Sequence, residues 1–109
     1  MKVPDRGDII ILDFDPQRGH ERMKRRPALV LSPASFNQKL GLAYVAPLTT
    51  KPKGHAFELR LPATSRMKGS VMVHQLKSFD WQARRARFAA KAPAAVVAAA
   101  VQIVKDIIE

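Results

Sequence analysis

The sequence predicts a mainly β fold with a C-terminal helix, an antiparallel sheet closing into a small barrel. Three observations carry this. Short β-branched or apolar runs recur along the chain with Pro-, Gly- and Thr-rich turns between them. No strand–helix–strand rhythm separates them, which excludes a parallel α/β sheet. The one long helical pattern stands at the end, after Pro93.

Each element has a local reason. D-I-I-I-L-D-F, residues 8–14, is β-branched, apolar and bounded by Arg6-Gly7 and Pro16. A loop from about 15 to 26 precedes P-A-L-V-L-S, residues 27–32, whose Pro27 suits the first position of a strand. S-F-N-Q-K-L-G, residues 35–41, reads as one helical turn stopped by Gly41. The strand L-A-Y-V-A-P-L, residues 42–48, runs into the turn T-T-K-P-K-G-H. A-F-E-L-R-L, residues 56–61, alternates as a half-buried strand does. P-A-T-S-R-M-K-G makes a helical turn and loop before residues 70–80, the longest expected strand, and 83–91 is the last. Beyond Pro93, Val97, Val101, Val104 and Ile108 form one stripe, and Val96, Ala100, Ile103 and Ile107 an adjoining one. A helix apolar over most of its girth requires burial against the sheet, a partner subunit, or both.

With 109 residues, the chain is expected to be a single domain over 1–109. Hydrophobic residues make up 47% and charged ones 26%, which excludes a disordered chain. There is no cysteine, so disulfides and thiolate zinc sites are ruled out. The N-terminus lacks the apolar run of a signal peptide, and the longest apolar stretch, residues 92–104, is too short to span a bilayer. A soluble, cytoplasmic protein is expected, with no membrane partner.

Charge is the strongest compositional signal. Lys and Arg number 19 against 9 Asp and Glu, and residues 1–92 hold 18 of the 19. A body this basic implies a polyanionic partner held by phosphate contacts and counterion release. The positive charge gathers in G-H-E-R-M-K-R-R-P, residues 19–27, around a single carboxylate, Glu21, and an imidazole, His20.

That combination suits phosphodiester chemistry on RNA without a metal. The 2′-hydroxyl is a built-in nucleophile, so an enzyme supplies a base, a cation for the phosphorane charge and a proton for the leaving 5′-oxygen. Glu21 is the acid of the loop, and Arg26 ends it against the stiff Pro27. An arginine stays charged throughout, which casts Arg26 as electrostatic stabiliser before proton donor. Histidine titrates near neutrality, so a residue such as His20 can either supply or accept a proton, or only line the loop. The competing reading is an ordinary charged loop in which Glu21 pairs with a neighbouring arginine.

A second cluster, P-L-T-T-K-P-K-G-H, residues 47–55, places Thr49, Thr50, Lys51 and Lys53 at a strand end, where hydroxyls, amides and ammonium groups can hold phosphate. A hairpin turn whose threonines satisfy the backbone is the alternative. R-R-A-R, residues 84–87, reads as a phosphate-facing or solvated strand face. Histidines at 20, 55 and 74 have no ligand spacing, and the aspartates of D-F-D, residues 13–15, read as turn formers, so no metal or cofactor is expected.

The sequence resembles the MazF (PemK/Kid-type) family of toxin endoribonucleases, from about Asp5 to Trp81 and less distinctly through the C-terminal helix. The resemblance rests on G-D-I-I-I-L-D-F-D-P, then G-H-E with R-R-P-A-L-V-L-S, then V-A-P-L-T-T with K-G, and Q-L-K-S at 75–78. It implies an SH3-like barrel extended by a sheet, working as a homodimer. It implies ribosome-independent, metal-independent cleavage of single-stranded mRNA at a short sequence, leaving a 2′,3′-cyclic phosphate and a 5′-hydroxyl. The family's catalytic glutamate, arginine and threonine fall on Glu21, Arg26 and Thr49. RNA contacts are expected from His20, Lys24, Arg25, Thr50, Lys51, Lys53, Gln75, Lys77 and Arg84. A cognate acidic, MazE-like antitoxin is the implied protein partner. This chain departs from the family pattern at His20, His74 and the basic Met23-Lys24-Arg25. Two rivals share the barrel: a non-catalytic nucleic-acid binder, which gains little from Glu21, and a CcdB-type gyrase poison, which does not need the three residues.

Overall fold

The computed structural model describes residues 2–15 and 24–109. Strand β1 spans Asp8–Asp15, β2 Lys24–Val30, helix α1 Ala34–Leu40 and β3 Leu42–Thr49. The short strands β4 (Glu58–Arg60) and β5 (Ser70–Met72) follow, then a 3₁₀ turn over Val73–Gln75, β6 (Lys77–Asp80), β7 (Arg87–Lys91) and helix α2 (Ala94–Ile108). Among the described residues all strand pairs are antiparallel, in the order β4-β5-β3-β2-β1-β7, with β6 beside the first half of β3.

The expected mainly β architecture with a C-terminal helix is present. The expected closure is not: among the described residues no ladder joins β7 to β6 or β4. A tight turn between β6 and β7 stands at that place. There the Asp13 amide donates to Arg84 O at 2.8 Å, the Ala86 amide to Trp81 O and the Arg84 amide to Asp80 O. The fold is an open, barrel-like sheet.

The sheet carries a core on each face, which explains why D-I-I-I-L-D-F is nearly continuous rather than alternating. Ile10, Leu12 and Phe14 face Ala28, Val30, Val45, Phe79 and Trp81. Ile9, one residue away and on the opposite face, packs with Leu29, Leu48, Val71, and Val96 and Ala100 of α2. In α2, Val96 and Ala100 are buried and Val97, Val101, Ile103 and Val104 pack against that core, while Ile107 and Ile108 are exposed. No helix among the described residues is long and apolar enough to cross a membrane.

Helix α1 stops as expected at Gly41, whose φ of 69° is the left-handed conformation of a glycine cap. The buried Asn37 fixes this helix. Its side chain takes a hydrogen bond from Ser32 Oγ (2.5 Å) and donates to Pro4 O (2.7 Å) and Ser32 O, while its carbonyl accepts from Trp81 Nε1 (3.0 Å).

Several expected boundaries shift, and the strand expected over 27–32 ends at Val30. Residues 24–26, expected in a loop, extend β2, with Arg26 opposite Leu12 and Arg25 opposite Asp13. The strand expected over 56–61 shortens to Glu58–Arg60. The strand expected over 83–91 starts at Arg87, because Ala83–Ala86 lie in the β6–β7 turn. The strand expected over 70–80 is broken. From Val71, opposite Leu48, to Lys77, opposite Val45, the chain takes six steps where β3 takes three. The 3₁₀ turn absorbs the surplus and lifts His74 and Gln75 out of the sheet.

Candidate active site at the ends of strands β2 and β3

The ladder between β2 and β3 ends at Ala28 opposite Pro47. Two residues further along the same register, Arg26 falls opposite Thr49, and side chains in such a position share one face. The half-buried Arg26 guanidinium confirms this closeness, with Nη2 donating to Leu48 O at 3.3 Å and its carbon 5.4 Å from the Phe14 ring centre. The chain thus brings together two of the residues expected to act on phosphate. Strand β2 supplies the cation, and β3 the hydroxyl.

Thr49 opens the β3–β4 connection as a side-chain turn, its Oγ1 accepting the Lys51 amide at 3.0 Å. On its other side β5 begins, with Ser70 opposite Thr49. Gly69 is required there. Its φ is +114°, and a Cβ would stand 2.5 Å from Thr49 O. Thr50, Lys51 and Lys53 are exposed along the connection, and Gln75 and Lys77 are exposed across β3. Lys24 is exposed at the start of β2, opposite Asp15. A groove of about 960 Å³ opens beside Thr50, with Gly54, His55, Arg60 and Lys68 in its walls. Glu21 and His20 lie outside the described residues. The segment that holds them leaves β1 at Asp15 and enters β2 at its partner Lys24.

Arg25 and Arg84 are both engaged with the protein itself, Arg25 while staying exposed and Arg84 half-buried. Arg25 Nη1 meets Asp13 Oδ1 at 2.9 Å, and its Nη2 donates to Ile11 O and Arg85 O. Arg84 lies in the β6–β7 turn, not on a strand face, and donates to Asp13 O (3.4 Å) and Phe14 O (3.1 Å). Asp13 is no turn former. It is buried in β1 and also receives Arg85 Nε at 2.8 Å. The Arg85 hydrogen bond, opposed by burial and helped by Arg25, holds the Asp13 carboxyl below the usual carboxylate range. Arg85 is raised in turn by Asp13 and adopts a φ of +52°.

Glu58 is the second carboxylate that sequence reasoning missed. Its nearly buried Oε1 accepts the Lys53 amide (2.9 Å) and the Gly54 amide (2.8 Å), and His55 Nε2 stands 3.8 Å from Oε2. Burial alone raises this carboxyl, but the Gly54 and Lys53 amides with His55 and His74 bring it below its ordinary value. The His74 ring meets His55 edge-on at 4.6 Å. Among the described residues no group of three or more His, Cys, Asp or Glu is placed to hold a metal ion.

Among small β domains, this one is defined by an open, helix-backed, barrel-like sheet whose basic strand ends carry an arginine, a threonine and an amide-rich turn. Comparison with known proteins makes the class specific. The family of PemK-like, MazF-like toxins of type II toxin–antitoxin systems matches residues 5–108. The endoribonuclease toxin MazF of Escherichia coli (strain K12) is 46% identical over 84 residues, covering 77% of this chain and 75% of that protein. The endoribonuclease toxin ChpB of the same strain is 40% identical over 89 residues, covering 76% and 75%. A crystal structure of MazE–MazF (Form-II) from Deinococcus radiodurans superposes with a TM-score of 0.92 at 44% identity, covering 99% of this chain and 97% of that one. The Mycobacterium tuberculosis toxin MazF-mt6, at 22% identity and a TM-score of 0.72, shares the fold. The chain belongs to the PemK-like, MazF-like toxin family.

Proposed function

We propose that this protein is an endoribonuclease that cleaves single-stranded mRNA at a short sequence without a metal or the ribosome, and that it is the toxin of a type II toxin–antitoxin pair. The observation that carries the chemistry is the convergence of Arg26 on the end of β3, where its guanidinium bonds Leu48 O beside Thr49. Glu21 takes the proton of the RNA 2′-hydroxyl. The 2′-oxygen attacks phosphorus, the bond to the 5′-oxygen breaks, and that oxygen takes up a proton. A 2′,3′-cyclic phosphate and a 5′-hydroxyl result. Arg26 opposes the charge that builds on the phosphorane oxygens, the largest kind of contribution to such a reaction. Thr49 holds a phosphate oxygen, and His20 is a candidate for the second proton transfer.

Lys24, Thr50, Lys51, Lys53, Gln75 and Lys77, all exposed around the strand ends, line the RNA path, and the groove beside Thr50 extends it. With a net charge of +10, this surface also suits a flexible acidic antitoxin segment, which would compete with RNA. MazE–MazF complexes of the Deinococcus relative support such a partner. The protein acts in the cytoplasm as a homodimer. An apolar groove of about 520 Å³ between Phe36, Tyr44, Val104 and Ile108 supports a second copy there. Its relatives named as endoribonucleases favour this function over a gyrase poison or a silent binder.

The test is Arg26→Ala. Cleavage of a short RNA should fall by roughly 10²–10³-fold, the cost of removing one transition-state donor, while RNA affinity measured under non-cleaving conditions changes little. Equal loss of rate and affinity would make Arg26 a docking residue.

A further inference from the structure

Behind the Arg26 side chain lies a stack that the cleavage chemistry does not by itself require. The Arg26 guanidinium sits 5.4 Å from the Phe14 ring centre. Phe14 meets Phe79 at 4.8 Å with the rings tilted by 56°. The Arg84 guanidinium then lies 5.0 Å from the Phe79 ring centre. Both separations fall within the roughly 6 Å over which a cation is drawn to an aromatic face. We propose that Phe79 and Arg84 are positioning residues for RNA cleavage, holding the Arg26 guanidinium through Phe14 in the orientation that meets the scissile phosphate. This rests on the assignment of Arg26 as phosphorane stabiliser.

The far end of the stack is anchored to the backbone. Arg84 donates to both Asp13 O and Phe14 O, and its own carbonyl accepts the Asp13 amide at 2.8 Å. The backbone under Phe14 is thereby tied to the β6–β7 turn at the place where the β1–β2 register shifts, between Asp13 and Asp15. Phe14 and Phe79 are 2% and 8% exposed, so neither ring is available to stack on a base. Both rings belong to the apolar core and lie close to each other and to the two cations.

The physical need is clear from Arg26 itself. A long, half-buried arginine has several rotatable bonds, and its one hydrogen bond among the described residues, to Leu48 O, fixes a point rather than a plane. A ring beneath the guanidinium sets the plane. Fixing that plane directs the remaining N–H groups to the open side of the strand ends, where the phosphate would stand. A displacement of about 1 Å at such a group costs up to 10²-fold in rate. Arg84 therefore acts on the reaction from beneath, with its charge turned away from RNA.

The experiment compares Phe79→Leu and Arg84→Met with the unaltered protein, in single-turnover cleavage at saturating RNA alongside RNA affinity and thermal melting. Each variant should cleave roughly tenfold more slowly with unchanged affinity, at a temperature where all are folded. Arg84→Lys should recover part of the loss. In an Arg26→Lys background Phe79→Leu should add less than about twofold, since the effect runs through the guanidinium. Full rate in both variants, or the same tenfold loss in the Arg26→Lys background, overturns the proposal. So does a loss confined to affinity, which would make Arg84 an RNA contact. If Phe79→Leu does not fold or Arg26→Lys is inactive, nitrogen NMR of Arg26 decides. Guanidinium rotation should be faster in Arg84→Met, and unchanged rotation overturns the proposal. Failure of the underlying assignment reads differently: Arg26→Ala would then cleave at full rate, or lose rate and affinity equally.

Discussion

Arg26, Thr49 and Gly69 meet where β2, β3 and β5 come together, and each has a different demand. Arg26 needs a plane, Thr49 a turn that frees its hydroxyl, and Gly69 the absence of a side chain. Gly69→Ala should therefore harm the site twice over, through its left-handed φ and through a Cβ at 2.5 Å from Thr49 O. Roughly 1–3 kcal/mol of stability should be lost, with cleavage falling more than RNA binding, as read from a denaturant titration and initial rates. Unchanged rates would mean that Thr49 is not held by this contact.

The buried Asp13 gives a second expectation at the same scale. Its folded pKa is depressed, so the stability it contributes is complete above its unfolded value and is lost as pH falls through the folded one. Unfolding free energies measured downward from about pH 5 should drop in the unaltered protein and drop less in Asp13→Asn. Equal slopes would place the acid sensitivity elsewhere, with Asp5 as the next group lowered by hydrogen bonds, from the Ala34 and Arg6 amides. Arg26 and Thr49 were legible in the sequence because proline and a Thr-Thr turn mark them. Asp13 and Glu58 were not. Their roles depend on partners 12 and 72 residues away for Asp13, and on a turn that folds back for Glu58.

At the scale of elements, the β3–β4 connection is held by Glu58 in place of a regular hairpin turn. Glu58→Gln removes the charge that grips the Lys53 and Gly54 amides, so those amides should exchange with solvent faster, by about tenfold or more. Hydrogen exchange by NMR reads this directly, and unchanged protection would show that the loop is held by its own turn. Strands bounded by glycine or proline, such as β1 and β3, were visible in the sequence, as was α1 with Gly41. The break at Val73–Gln75 was not. S-V-M-V-H-Q-L-K is continuous in β propensity, and the interruption comes from the register β3 imposes on its two neighbours along one edge. In the same way the open edge beside β7 reflects the Trp81–Ala86 turn, whose R-R-A-R looks like a strand until Arg84 turns inward.

Over the whole molecule, a sheet with a core on each face supports the strands while nearly all of the net positive charge stays on the body that carries them. Such a surface would gather RNA or an acidic protein alike. The small set around Arg26 would turn gathering into cleavage. Purified protein incubated with single-stranded RNA in excess EDTA, followed by mapping of the cut ends, is the most direct test. Cleavage should persist in EDTA, recur at one short sequence, and leave 5′-hydroxyl and 2′,3′-cyclic phosphate ends. Cleavage abolished by EDTA, or 5′-phosphate ends, would mean that Arg26 and Thr49 serve a different reaction.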